Sequence, residues 1–180
     1  MELILATGNK NKLKEFQKIL KNINIKNIKI DLEEIQSLNL EEITKYKAKQ
    51  AYNKIKKPII VEDTGFYLEE LNGLPGPFIK FFNEQLGNQA MIKLLGNSKN
   101  RNAYSKTCIA YYDGKKFIIG TGKVEGKISK ELSQGEGFGF DYCFIPNGYN
   151  QTFSELGLEI KNQISHRKKA IQDLKKKLKI

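Results

Sequence analysis

Glu62 and Asp63 stand side by side directly after the apolar run Ile59-Ile60-Val61, and Thr64-Gly65 follows them. Two carboxylates at the end of a buried strand are costly unless they meet a cation or water, and hard oxygen donors suit Mg²⁺. A carboxylate there can also orient or deprotonate a water beside a metal-bound phosphate. The plain alternative is a polar strand end with an Asx turn. Thr7-Gly8-Asn9-Lys10-Asn11-Lys12 is a second candidate. A strand that turns through Gly into a helix presents backbone N–H groups at the positive end of the helix dipole, which suits a phosphate. Asn9 can cap that helix and Lys12 can reach back as a point charge; a capped surface helix with solvated lysines fits the same residues. No GxxxxGK[ST] phosphate loop is present. Glu33-Glu34 adds a further carboxylate after the second strand. Lys47 shares a helix face with Ile43 and Ala51, so it either meets an anion or snorkels.

Two constellations lie later in the chain. Gly135-Glu136-Gly137-Phe138-Gly139-Phe140-Asp141 offers close backbone approach, two flat rings and an acceptor. Both rings also fit a core, Phe140 more readily than Phe138. Ser165-His166-Arg167 holds the single histidine and one of two arginines, Arg101 being the other. It suits recognition of an acceptor oxygen. A Ser-His-Asp triad is a poor fit, because adjacent helical residues point about 100° apart.

Elements must carry these groups. Residues 3–7 form a short buried strand, and a helix follows Gly8-Asn9 with Leu13, Phe16, Leu20 and Ile23 on one face. Residues 25–30 alternate as a half-buried strand, a helix covers about 41–55, and 58–61 form a strand ending at the carboxylates. Residues 73–77 read as a loop; 78–86 and 89–95 read as helical. Periodicity turns β-like over 102–125, with a hairpin signal at Asp113-Gly114. Residues 135–139 form a flexible loop, and one helix runs from 162 to the C-terminus. Alternation first and a meander later predict a mixed α/β sheet with helices around it.

Composition narrows the classes. The 180 residues fit a single domain over 1–180, with room for two lobes, and 31 basic against 20 acidic residues leave a net charge of +11. That excess invites a polyanion, but lysine supplies nearly all of it, which weakens base-specific DNA reading. No apolar run approaches a membrane span, and the start lacks a signal-peptide pattern. Cys108 and Cys143 lack CxxC spacing, so a reducing cytoplasm is expected.

Taken in order, Thr7 to Lys12, Val61 to Gly65, Gly73-Leu74-Pro75-Gly76-Pro77, Phe138-Gly139-Phe140-Asp141 and Ser165-His166-Arg167 resemble the inosine triphosphate pyrophosphatase family over nearly the whole chain. The resemblance implies a two-lobed α/β fold around a long twisted mixed sheet, with a nucleotide cleft between the lobes. It also implies a homodimer, Mg²⁺ dependence and hydrolysis of ITP, dITP and XTP to the monophosphate and pyrophosphate. By motif position, Thr7, Gly8, Asn9, Lys12 and Lys47 would hold the triphosphate. Glu34, Glu62 and Asp63 would serve the metal, with Asp63 activating water. Phe138 would stack on the base within the loop Phe138, Gly139, Phe140 and Asp141. Lys161, Ser165, His166 and Arg167 would lie near its keto edge. No stable nucleic-acid partner and no membrane are expected. The alternatives are a related pyrophosphatase for modified pyrimidine nucleotides and a lysine-rich nucleic-acid-binding module.

Overall fold

The computed structural model describes residues 2–180. Seven strands and six helices follow one another as β1 (Glu2–Ala6), α1 (Lys10–Ile19), β2 (Asn24–Ile28), α2 (Leu40–Ile55), β3 (Ile59–Leu68), β4 (Pro75–Gly76), α3 (Ile79–Leu86), α4 (Ala90–Leu95), β5 (Asn102–Tyr112), β6 (Phe117–Ile128), β7 (Phe144–Pro146), α5 (Phe153–Ile164) and α6 (His166–Leu178). Their sheet order is β2-β1-β3-β5-β6-β7, with β4 paired to β3. The β1 pairings to β2 and β3 are parallel, whereas β3–β4 and β6–β7 are antiparallel. The fold is therefore a mixed α/β sheet flanked by helices.

The chain divides into two compact units. Among the described residues, one comprises 2–63, Thr107–Gly122 and Arg167–Ile180; the other comprises Thr64–Lys106 and Lys123–His166. In the first, β1 is apolar on both faces, as a parallel strand covered on both sides must be. Leu3 and Leu5 join Phe16 of α1 and Ile171 and Leu174 of α6 in one cluster. Ile4 and Ala6 join Ala48 and Ala51 of α2 in another. The second unit is built on Phe66, Leu68, Val124, Phe140, Phe144 and Phe153.

Four sequence expectations are corrected. The strand expected to end at Val61 continues to Leu68, so Glu62 and Asp63 lie within β3. The carboxylates broke the apolar run without breaking the strand, because each is met by a cation. The loop over 73–77 contains the short strand β4. The β2 strand ends at Ile28, not residue 30. The single C-terminal helix is two. Thr152 opens α5 with a capping box closed by Glu155, Ser165 ends it, and His166 begins α6.

Candidate active site

Lys47 is the hub of the first unit's polar cluster. The buried face of α2 carries it inward, where it is 9% exposed. Its Nζ lies 2.8 Å from Glu34 Oε1 and 3.0 Å from both Asp63 oxygens. Only Asp63 Oδ1 is aligned to accept; Oδ2 is buried without a hydrogen bond. Burial pulls the Lys47 ammonium down, but Asp63 and then Glu34 more than offset it, so its pKa stands above the usual lysine value. Burial pushes the Asp63 carboxyl up, and Lys47 and Lys12 only partly counter it.

Glu62, one residue earlier on β3, faces a different pair of cations. Arg167 Nε and Nη2 reach its two oxygens at 2.5 and 3.0 Å, while Arg167 Nη1 donates to Glu15. Lys12 Nζ lies 3.2 Å from Glu62 Oε1 and 3.2 Å from its carbonyl oxygen. The fork geometry of arginine suits this double carboxylate grip, and removing one partner from so buried a set would leave a charge uncompensated. The two carboxylates hold the guanidinium firmly in its charged form despite burial.

At the start of α1, Asn9 Oδ1 accepts from the amides of Asn11 and Lys12 at 2.9 and 3.2 Å. Thr7 Oγ1 accepts from the Asn9 amide at 3.1 Å. Three of the N–H groups expected to meet a phosphate are thus already engaged. What remains at this turn is its exposed Gly8 and Lys10 backbone and the Lys12 ammonium.

The second unit holds the aromatic cluster. Asp141 Oδ2 accepts from the Phe138 amide at 2.9 Å and from Lys161 at 2.6 Å. The Lys161–Asp141 pair is 1% exposed on each side. Lys161 Nζ also sits 4.2 Å from the Phe138 ring centroid, a cation–π contact on one face of a half-buried ring. His166 Nδ1 and Ser105 Oγ are 2.9 Å apart. Phe140 is core: it packs 4.3 Å from the Phe66 ring and 5.7 Å from His166. Cys143 is buried nearby, and burial, then Asp141, push its thiol up to about 12, so it is not a nucleophile.

The Ham1 family model matches residues 3–177. The chain belongs to this family. Curated relatives include a dITP/XTP pyrophosphatase of Methanopyrus kandleri, 40% identical over 96% of this chain and 93% of that protein. Inosine triphosphate pyrophosphatase 2 of Trypanosoma cruzi is 42% identical over 97% of this chain and 90% of its own length. Among solved structures, the Ham1 protein of Staphylococcus aureus superposes with a TM-score of 0.86 at 28% identity, covering 99% of this chain and 98% of that one.

Within this Ham1 chain, the expected residues fall into two sets. The structure brings Thr7, Gly8, Asn9, Lys12, Glu34, Lys47, Glu62, Asp63 and Arg167 into the first unit, and Phe138, Gly139, Phe140, Asp141, Lys161, Ser165 and His166 into the second. Three of these residues also have neighbours within the protein. Glu62, expected to serve a metal, faces Arg167 and Lys12. Arg167, expected at a base's keto edge, grips Glu15 and Glu62. Phe140, placed with the base, is 7% exposed in the core. Glu15 and Ser105 were missed. Glu15 lies beside Phe16 on α1 with no local sign of a partner 152 positions away.

For a divalent cation, the donor set can be tested directly. Among the described residues no group of three or more His, Cys, Asp or Glu is gathered for a metal. Glu34 and Asp63 nevertheless fit Mg²⁺, which takes one or two carboxylates and completes its shell with water and phosphate oxygens. Glu34 is 36% exposed, and Asp63 Oδ2 is a hard oxygen without a hydrogen bond. A groove of about 590 Å³ on the outer side of α2, lined by Tyr46, Lys49 and Phe117 among others, contains none of the expected residues.

Proposed function

We propose that this chain hydrolyses the deaminated purine nucleoside triphosphates ITP, dITP and XTP to the monophosphate and pyrophosphate, clearing them from the nucleotide pool. The observation that carries the reading is Lys47 held between Glu34 and Asp63, with one Asp63 oxygen buried and lacking a hydrogen bond. The curated relatives named dITP/XTP pyrophosphatase support it.

The triphosphate is assigned to the first unit. Gly8 offers backbone approach, Thr7 and Asn9 shape the turn, and Lys12 and Lys47 supply positive charge. Asp63 orients a water for in-line attack on the α-phosphorus and takes its proton. The bond from the α-phosphorus to the bridging oxygen breaks, and the lysines stabilise charge on the departing pyrophosphate. Glu34 and Asp63 would hold Mg²⁺, which would neutralise phosphate charge. Arg167 and Glu15 act through Glu62, fixing the strand that presents Asp63.

The base is assigned to the second unit. Phe138 stacks on it with the face that Lys161 does not cover, and Asp141 keeps that ring and ammonium in place. His166, its Nδ1 bonded to Ser105, and Ser165 read the keto oxygen that replaces adenine's amine. Leaving such donors unpaired rejects the wrong base by ~10⁴ or more. A homodimer and a cytoplasmic setting complete the reading. Among the described residues no helix is long and apolar enough to cross a membrane.

Pyrophosphate release from a panel of nucleoside triphosphates, with and without Mg²⁺, tests it. ITP, dITP and XTP should turn over far faster than ATP, and only with the metal. Equal rates for ATP and ITP overturn the reading.

A further inference from the structure

Phe138, the ring assigned to the base, stands between Gly137 and Gly139, just after the exposed residues 134–136. Glycines on both sides leave the backbone free to turn, and a group that must be ordered on binding costs affinity. That freedom is removed at one peptide group. The peptide joining Gly137 to Phe138 presents the Gly137 carbonyl oxygen at one end and the Phe138 N–H at the other. The Tyr142 hydroxyl donates to the carbonyl oxygen at 2.9 Å, and Asp141 Oδ2 accepts from the N–H at 2.9 Å. Both polar ends of this peptide are therefore held by neighbouring side chains. Gly137 permits the close approach, since a Cβ there would stand 2.7 Å from Asp141 Cβ.

The two holding residues are themselves anchored. Asp141 is buried, and its Oδ2 also receives Lys161 Nζ at 2.6 Å. The Tyr142 carbonyl oxygen accepts from the amide and from the hydroxyl of Ser133, each at 2.9 Å. Ser133 Oγ in turn lies 2.6 Å from the Thr152 hydroxyl and 2.7 Å from the Ser154 hydroxyl, both buried at the start of α5. We propose that Tyr142 is a positioning residue: its hydroxyl, with the Asp141 carboxylate, fixes the Gly137–Phe138 peptide and so presets the Phe138 ring for stacking on the purine. This rests on the assignment of the base to Phe138. Asp141 cannot be altered without stripping Lys161 of its buried counter-charge, whereas the Tyr142 hydroxyl can be removed alone. Without it, the peptide is ordered only when substrate binds, and that cost falls on binding rather than on the chemical step.

The test compares the full-length wild type with Tyr142→Phe, Phe138→Leu and the double variant. Steady-state kinetics on ITP and XTP are read with inhibition by tripolyphosphate and with thermal unfolding. Tyr142→Phe should raise KM about fivefold for both substrates alike, with kcat within about twofold. Its tripolyphosphate inhibition should not change, because that probe carries no base. In the Phe138→Leu background, Tyr142→Phe should add nothing further to KM, because the hydroxyl acts through the ring. A lower Tm with both KM values in place overturns the proposal, as does a KM rise matched by weaker tripolyphosphate inhibition. A full additional KM rise in the Phe138→Leu background also overturns it. So does a Tyr142→Phe protein that fails to fold, because the hydroxyl then serves the fold and not the base. Phe138→Leu with an unchanged ITP KM overturns the base assignment. A wild-type protein that releases no pyrophosphate from ITP overturns the proposed function itself, and both failures are visible before Tyr142 is tested.

Discussion

Asp63 directs one oxygen at Lys47 and leaves the other buried without a hydrogen bond. Asn at this position keeps the size and can still accept from Lys47 through its single carbonyl oxygen. It loses the charge and the basicity that a water-activating group needs. Asp63→Asn should therefore fold normally, still bind ITP, and lose ~10²–10⁴ in kcat. Circular dichroism, equilibrium ITP binding and pyrophosphate release check the three parts. Near-wild-type turnover with normal Mg²⁺ dependence would remove Asp63 from the chemistry. The position of Asp63 after an apolar run and of Lys47 on an inward helix face is legible in the sequence, but not that Lys47 meets Glu34 and Asp63 rather than snorkelling. Partners far away in sequence are not legible either. Ser105 and His166 are 61 positions apart, and nothing in the meander around Ser105 marks it as a histidine's partner. Arg167 stands out in the sequence by its rarity among lysines, but its grip on Glu15 and Glu62 is visible only in the fold.

Helix α6 meets strand β6 with almost no clearance, and that contact positions Arg167 at the helix's N-terminal end. Asp173 on α6 accepts from the Thr121 amide at 2.9 Å, and Ala170 and Leu174 pack into the first unit's core. Gly120 makes the approach possible. A Cβ there would stand 2.5 Å from the Ala170 carbonyl oxygen and 2.8 Å from the Leu174 amide nitrogen, both backbone atoms that cannot swing aside. Gly120→Ala should destabilise the fold by about 1–3 kcal/mol, the usual range for overpacking. Urea denaturation measures this, and an unchanged midpoint would mean that α6 shifts at no cost. Periodicity exposed α1, α2 and the β5–β6 hairpin because their faces are apolar at regular spacing. It failed on α5 for a local reason: Gly157 interrupts the helix with non-helical torsions, at φ 76°. It failed on β3 because charges at Glu62 and Asp63 look like a strand end until Lys12, Lys47 and Arg167 are brought beside them.

The net charge of +11 suggested a polyanion, but the expected cationic residues are not a bare positive surface. Lys12, Lys47 and Arg167 share the first unit's cluster with Glu15, Glu34, Glu62 and Asp63, three cations against four carboxylates, a formal −1. Lys161 and Asp141 cancel in the second. The positive excess therefore lies outside both clusters. Beyond Arg167, six lysines against Asp173 follow up to Ile180, and α6 puts several of them in solvent. In the proposed reading, this near-neutral cluster takes a divalent counter-cation on Glu34 and Asp63 together with the triphosphate. It also separates the enzyme from a lysine-rich nucleic-acid module. A protein neutralising 6–10 phosphates loses ~10³–10⁵ in affinity between 50 and 200 mM salt. With Mg²⁺ saturating, kcat/KM for ITP should fall by less than about tenfold over that range, because the contacts are few and already paired within the protein. Excess single-stranded or duplex polynucleotide at 200 mM salt should not inhibit. A steep salt slope shared by ITP turnover and polynucleotide competition would instead place the working surface on the lysine excess, and the paired clusters would then be scaffolding.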